Sequence, residues 1–347
     1  MSEVHSTAVI EEGAQIGGGC HIGPYCVIGA NVKLGPGCQL HSHVVIDGHT
    51  ELGEANTLFP FASIGLRTQD LKWKGGTAWT RIGDHNTIRE YVTIHSATDE
   101  GDATVIGSHN NLLAYTHVAH DCQLGNHIVM SNVATLAGHV TVEDCAIIGG
   151  LAAVHQFCRI GTMSIIGGCS KVVQDIPPYM MADGNPSTTR ALNKEGLKRN
   201  DISEETQAAL KQAHRILFRE NLTITNAIEK AKAEIPANSE LDHLLDFIQR
   251  FTAEVRGAEH FLLGLLHQIA DIDNVVVLET VGRTHRKFQL VHLAQEVLVE
   301  NRFRRQIRFR DHRRLLEIDE ELQLVLQDAG RQRDCVLGRD GAVGLDV

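Results

Sequence analysis

The sequence predicts a mainly β fold: a left-handed parallel β-helix of hexapeptide repeats, followed by an α-helical C-terminal domain and a short α/β tail. Three observations predict it. An aliphatic residue recurs every sixth position from Val4 to Val172, the spacing turns helical after Ile176-Pro177-Pro178, and the composition turns arginine-rich past Gly257. The expected divisions are 1–176, 177–257 and 258–347.

The repeat decides the whole fold, because each unit is one short element that cannot bury its apolar face without its neighbours. Stepping by six from Val4 gives Ile10, Ile16, Ile22 and Ile28, and the same phase holds to Val172; of its 29 positions only Asp70, Gly76 and Glu100 are not aliphatic or Met. A helix repeats at 3.6 and a strand at 2, so a period of six fits neither alone. It fits a coil of three short strands, each hexapeptide forming one side of a triangular prism with its aliphatic residue inside. Gly follows the inward residue often, as in Ile16-Gly17 and Ile28-Gly29, and is expected to turn the corner. Small residues precede it by two, among them Cys20, Cys26, Cys38, Cys122 and Cys158. They read as corner filler, because the eight cysteines contain no C-x-x-C pair and no zinc-type spacing.

The three exceptions mark two excursions, Gly65 to Arg81 and His95 to Val105, which are expected to be external loops. Insertions in a solenoid project from one face and commonly build its binding site. At Ile176-Pro177-Pro178 the ladder is expected to stop, since proline cannot donate to it. Asp201 with Glu204 reads as a capping box ahead of a helix from Glu205 to Asn221, and Thr223 to Ile235 and Ser239 to Val255 carry helical spacing. These helices are expected to cover an open end of the prism. In the tail, seven of twelve arginines lie between Arg302 and Arg314; the alternation of Phe303, Ile307 and Phe309 with arginines suggests a strand, Leu315 to Leu326 suggests a helix, and no function is read from them.

Composition excludes several classes. A net charge of −11 argues against binding a nucleic-acid backbone, and neither a signal peptide nor an apolar stretch of about 18 residues is seen, so a cytoplasmic chain without membrane insertion is expected. No metal and no cofactor are expected. The twenty histidines are informative, because His117, His120, His139 and His155 gather in the later coils. Inward Val118 fixes the phase and leaves His117 and His120 pointing elsewhere, with Asp121 beside His120 as a carboxylate able to orient a base.

The segments Ser42-His-Val-Val, Phe61-Ala-Ser-Ile-Gly, Gln69-Asp-Leu-Lys, His117-Val-Ala-His-Asp-Cys, Ala134-Thr-Leu-Ala-Gly-His, Ala146-Ile-Ile-Gly-Gly, Ala153-Val-His-Gln-Phe and Asn193-Lys-Glu-Gly-Leu-Lys-Arg occur in this order. Through them Val4 to about Gly257 resembles the UDP-N-acetylglucosamine O-acyltransferases that open lipid A synthesis. The resemblance implies a homotrimer with sites between neighbouring prisms, an acyl carrier protein bringing a 3-hydroxyacyl group, and UDP-N-acetylglucosamine accepting it on its 3-hydroxyl. It implies His120 as general base, Asp121 as its orienter and the Gly138 N–H as oxyanion donor. Asp70, Lys72, His117, His139, His155 and Gln156 would position sugar and acyl groups, Asn193, Glu195 and Arg199 would meet the nucleotide, and Gly168 would limit acyl length. Where the family often has two arginines, this chain reads Arg199-Asn200, which puts one phosphate or carrier contact in doubt.

Three other readings fit the sequence less well. The later N-acyltransferase of the same pathway carries a uridine-binding domain ahead of its repeats, whereas here the repeat begins at Val4. Acetyltransferases using coenzyme A differ in donor. A structural or ice-binding solenoid would show threonine ladders rather than irregular His, Asp and Lys groups beside two loops.

Overall fold

The computed structural model describes residues 2–250; the expected arginine-rich tail, 258–347, and the end of the Ser239–Val255 helix lie outside them. Short parallel strands stack into three sheets of eleven, nine and eight strands, here called faces A, B and C. Glu3 pairs with His21 and Val4 with Ile22, so one coil consumes three hexapeptides. Every aliphatic register residue from Ile22 to Val172 is at most 4% exposed, whereas Val4, in the first coil, is 45% exposed. Burying each such side chain contributes roughly 1.5–3 kcal/mol, so the inward column supplies most of the driving force.

The corners turn differently from the expectation. The left-handed residue stands three past the register position and is usually not glycine: Tyr25, His43, Tyr91, Tyr115, Asp121 and His139 have φ between 59° and 63°. The glycine right after the register residue answers to crowding between coils instead. A Cβ on Gly23 would stand 2.9 Å from the Leu40 carbonyl oxygen of the next coil, inside ordinary contact distance. The small residues before the register position do more than fill. Cys26 Sγ donates to His41 O at 2.8 Å and Cys122 Sγ to Ala137 O at 3.1 Å, and burial pushes the Cys122 thiol up to about 12, so it is structural. Asn56, Asn86 and Asn110 occupy the same phase as an internal ladder, Asn86 Oδ1 accepting from Asn110 N at 2.9 Å and Asn86 Nδ2 donating to Gly107 O at 3.0 Å.

Both excursions are external loops, 67–78 and 96–102, and they leave the same edge. Ser63–Leu66 and Thr93–His95 are neighbouring strands of face B, so the loops emerge one coil apart where face B passes to face C. Thr68 and Thr98 hydroxyls join them at 3.0 Å.

The ladder does not end on every face at Pro177-Pro178, and face B has already stopped at Lys171–Val172. Face C closes at the bridge between Ile160 and Ile176, but face A runs on to Met180–Gly184, which returns antiparallel through Ser187–Leu192. Helices α1 (Lys194–Arg199), α2 (Glu204–Arg219) and α3 (Ile224–Glu234) follow, and residues 239–250 are helical. The capping box differs from the expected one. Asp201 is left-handed (φ 55°) at the end of α1, and Ser203 caps α2, its hydroxyl accepting from Thr206 N at 3.1 Å. Leu197, Leu210, Ala213, Ile216, Ala231 and Leu244 form a second core over Tyr179 and Met180. The C-terminal end of the prism is thereby covered. His243 Nε2 meets Glu143 Oε2 at 2.8 Å, and Arg159 pairs with Asp175 at 2.8 Å while stacking on Phe247, which ties helix 239–250 to the coils.

Candidate active site

The edge between faces B and C, above the two loops, carries the ionisable cluster. His117–Val118 is a strand of face B. Because Val118 points inward, His120 and the left-handed Asp121 fall on the corner beyond it. His120 Nδ1 and Asp121 Oδ2 are 2.7 Å apart. Thr104, buried in face C, accepts from Asp121 N at 2.8 Å, and Thr98 N approaches the carboxylate at 3.3 Å. The carboxylate is thus aimed by the loop below it and by its own coil. Burial pushes the Asp121 carboxyl up, but the hydrogen bond from His120 and the nearness of His139 outweigh it, and the group stays below the usual carboxylate range.

With Nδ1 engaged, His120 turns Nε2 outward, where Asp70 Oδ2 stands 3.9 Å away. Asp70 is held by its own loop: its Oδ1 accepts from Lys72 N at 2.9 Å and its N–H donates to Thr68 Oγ1 at 3.0 Å. Leu71, between them, is fully exposed. One coil above, His139 N donates to His120 O at 3.0 Å, and the two rings meet edge to face at 5.2 Å. Gly138 lies against the His120 ring so closely that a Cβ there would stand 2.6 Å from Nε2. No described residue accepts from the Gly138 N–H. His155 and Gln156 follow a coil higher, and Phe157 of that coil stacks on His139 at 4.7 Å. His120, Asp121 and His139 bring ligand atoms within 4.8 Å of one another; in this structure they are arranged as a hydrogen-bonded acid–base group.

His117 lies just below, its Nδ1 bonded to Thr93 Oγ1 at 2.7 Å. Burial, reinforced by His95 and His120, holds its imidazole down to about 4, so it is neutral near pH 7. His95 packs edge-on against it at 5.0 Å. The sequence reading passed over His95, yet a signal was present: His95 follows inward Ile94 just as His155 follows inward Val154.

The structure gathers Asp70, Lys72, His117, His120, Asp121, Gly138, His139, His155 and Gln156 along one edge. Gly168 stands apart from them, on the edge between faces A and B, where a Cβ would meet only Gly150 O, at 3.2 Å. Asn193, Glu195 and Arg199 belong to α1 and its cap. The Asn193 amide is used at both ends, donating to Met163 O at 2.8 Å and accepting from Gly196 N at 3.0 Å. Asn200 Nδ2 donates to Gly196 O at 2.8 Å, so it serves α1 where a second arginine would reach outward.

A triangular coil of hexapeptides carrying a histidine–carboxylate pair on its edge defines a hexapeptide acyltransferase. Comparison with known proteins makes this specific. Residues 2–42 match the bacterial transferase hexapeptide family, and residues 175–258 match domain 2 of UDP-N-acetylglucosamine O-acyltransferase. The acyl-(acyl carrier protein):UDP-N-acetylglucosamine O-acyltransferase of Thermodesulfovibrio yellowstonii is 53% identical over 250 residues, 72% of this chain and 97% of that protein. That of Herminiimonas arsenicoxydans is 50% identical over 68% of this chain and 89% of its own length. The solved structure of LpxA from Acinetobacter baumannii is 44% identical, covers 71% of this chain and 96% of its own, and superposes with a TM-score of 0.69. The chain belongs to the UDP-N-acetylglucosamine O-acyltransferase family.

Proposed function

We propose that this protein transfers an (R)-3-hydroxyacyl group from acyl carrier protein to the 3-hydroxyl of UDP-N-acetylglucosamine, the first step of lipid A biosynthesis. The observation that carries the mechanism is the 2.7 Å contact between His120 Nδ1 and Asp121. It fixes the tautomer with a proton on Nδ1 and leaves the Nε2 lone pair facing out, as a general base requires. His120 Nε2 takes the proton of the sugar hydroxyl as its oxygen attacks the thioester carbonyl, and Asp121 stabilises the imidazolium without taking a proton. The Gly138 N–H donates to the oxyanion that forms. When the tetrahedral intermediate collapses, the C–S bond breaks and the His120 proton goes to the leaving thiolate. Asp70 and Lys72 from the lower loop, with His117, His139, His155 and Gln156, hold sugar and acyl groups along the edge. Glu195 and Arg199 meet the nucleotide, Arg199 as a phosphate partner, and Asn193 acts by positioning their helix.

The working unit we propose is a homotrimer. Tyr25, Phe61, Tyr91, Tyr115, Val133 and Leu151 form an exposed stripe, each at least 41% exposed, along the edge between faces A and B. Gly168 lies on that edge. A second copy seated there through its own edge between faces B and C would bury the stripe and bring the first copy's Gly168 toward the second copy's His120, which one chain cannot do alone. No described helix is long and apolar enough to cross a membrane, and with a carrier-protein donor we place the protein in the cytoplasm.

The test is acyl transfer by purified protein from 3-hydroxyacyl carrier proteins of graded length to UDP-N-acetylglucosamine. We expect ester product, with His120→Ala lowering turnover by a factor on the order of 10² to 10⁴. Transfer only from acyl-coenzyme A, or full activity in a folded His120→Ala protein, would overturn the reading.

A further inference from the structure

His95 ends a strand of face B one coil below His117 and is 7% exposed. Its Nδ1 is buried with no hydrogen-bond partner among the described residues, and no described residue bonds its Nε2. An aliphatic side chain would fill this space without sealing in an unpartnered nitrogen, so packing gives no reason for an imidazole here. A sealed N–H lacking an acceptor is the rarer defect in proteins, and a lone pair lacking a donor the more tolerated one. The proton therefore sits on Nε2, the nitrogen that is not sealed in. Burial, and then the nearness of His120, hold His95 below the ordinary histidine range, which makes it a neutral donor of one hydrogen bond.

We propose that His95 is a substrate-contacting residue of this groove, its Nε2–H donating to a sugar oxygen that flanks the reacting 3-hydroxyl. The candidates are the 4-hydroxyl and the 2-acetamido carbonyl. This rests on the acyltransferase reading above. The order of the coils favours sugar over thioester. Gly138, the oxyanion donor of that reading, stands one coil above His120, so the acyl carbonyl arrives from that side. His95 stands one coil below His117, on the side left to the acceptor. His95 holds the sugar and makes or breaks no bond itself.

The test uses His95→Phe, which keeps a ring against His117 but removes the donor, and His95→Gln, whose Nε2 amide restores one nearby. Each is assayed with UDP-N-acetylglucosamine, its 4-deoxy analogue and its 2-trifluoroacetamido analogue, whose carbonyl is a poorer acceptor. We expect His95→Phe to lower kcat/KM for the parent sugar by about tenfold and His95→Gln to recover part of it. On the analogue that lacks or weakens the contacted oxygen, the penalty should shrink to about twofold or less. An equal penalty on all three sugars, or none on any, would reduce His95 to a packing residue. Should His95→Phe fail to fold, as read by circular dichroism, the ratio of wild type to His95→Gln across the three sugars closes the same cycle. A wild-type protein that does not acylate the parent sugar would instead overturn the acyltransferase reading, and this proposal with it.

Discussion

Gly138→Ala separates two roles for that glycine. If residue 138 contributes only its N–H, alanine keeps the donor and activity survives. The structure predicts otherwise, because the added Cβ would stand 2.6 Å from His120 Nε2 and 3.1 Å from Nδ1. Ordinary contact needs about 3.5 Å, so the ring must move by roughly 1 Å. That displacement pulls Nδ1 off Asp121, now 2.7 Å away, and re-aims Nε2. A misplacement of about 1 Å in a reacting group costs on the order of 10²-fold in rate. Residue 138 lacks a positive φ, so alanine is compatible with the backbone, and the protein should fold with melting lowered by no more than the loosened contact between His120 and Asp121 accounts for. Steady-state kcat/KM with a 3-hydroxyacyl carrier protein, beside a melting curve, makes the comparison. A kcat/KM within about threefold of wild type would refute the steric argument and leave only the N–H role.

Gly168→Met should fold, since a Cβ there meets only Gly150 O, and should shift preference toward shorter donors. Each methylene denied contact costs about 0.8 kcal/mol, so a long donor should lose more than tenfold while a short one is spared; equal loss at every length would end the acyl-limit role. Asn86→Ala removes buried partners of Gly107 O and Asn110 N, and at about 1–3 kcal/mol for each group left unsatisfied it should lower the denaturant midpoint measurably with little change in KM. The link between His243 and Glu143 should depend on pH. The hydrogen bond that His243 donates to Glu143 raises His243, so that contribution is full below about 6.5 and fades as pH rises through the raised folded value. Burial pushes Glu143 up, but His243 and Thr162 outweigh it and hold it low, so its contribution is present above about 4.3 and fades as pH falls through the lowered folded value. The melting difference between wild type and His243→Gln should therefore be larger at pH 5.5 than at pH 8.5; a constant difference would show that the contact is not ionic. Truncation after Gly257 should leave transfer activity intact, as the family match ends at residue 258, and its loss would assign the tail a role.

Much of the prism was legible because one physical demand repeats. Every sixth side chain must leave water, and a single phase from Val4 to Val172 admits no other regular structure. The loops were legible as failures of that demand at Asp70, Gly76 and Glu100. The corner mechanism was not legible. Glycine after the inward residue suggested a turn by conformational freedom, but the left-handed residue is usually a larger one three positions past it, and the glycine marks where coils press together. That distinction depends on distances between residues a coil apart, which a one-dimensional pattern does not contain.

The sequence by itself determined the coil, its period, the two excursions and the pairing of His120 with Asp121, because each follows from local phase. Only the tertiary structure decided which residues share an edge. Both loops leave face B one coil apart, so Asp70 meets His120 across 50 positions of chain, and His95 comes to lie beneath His117. The same stacking puts Gly168 on another edge, away from His120 within one chain. Phase says which way a side chain points; the winding of the coils decides what it meets there.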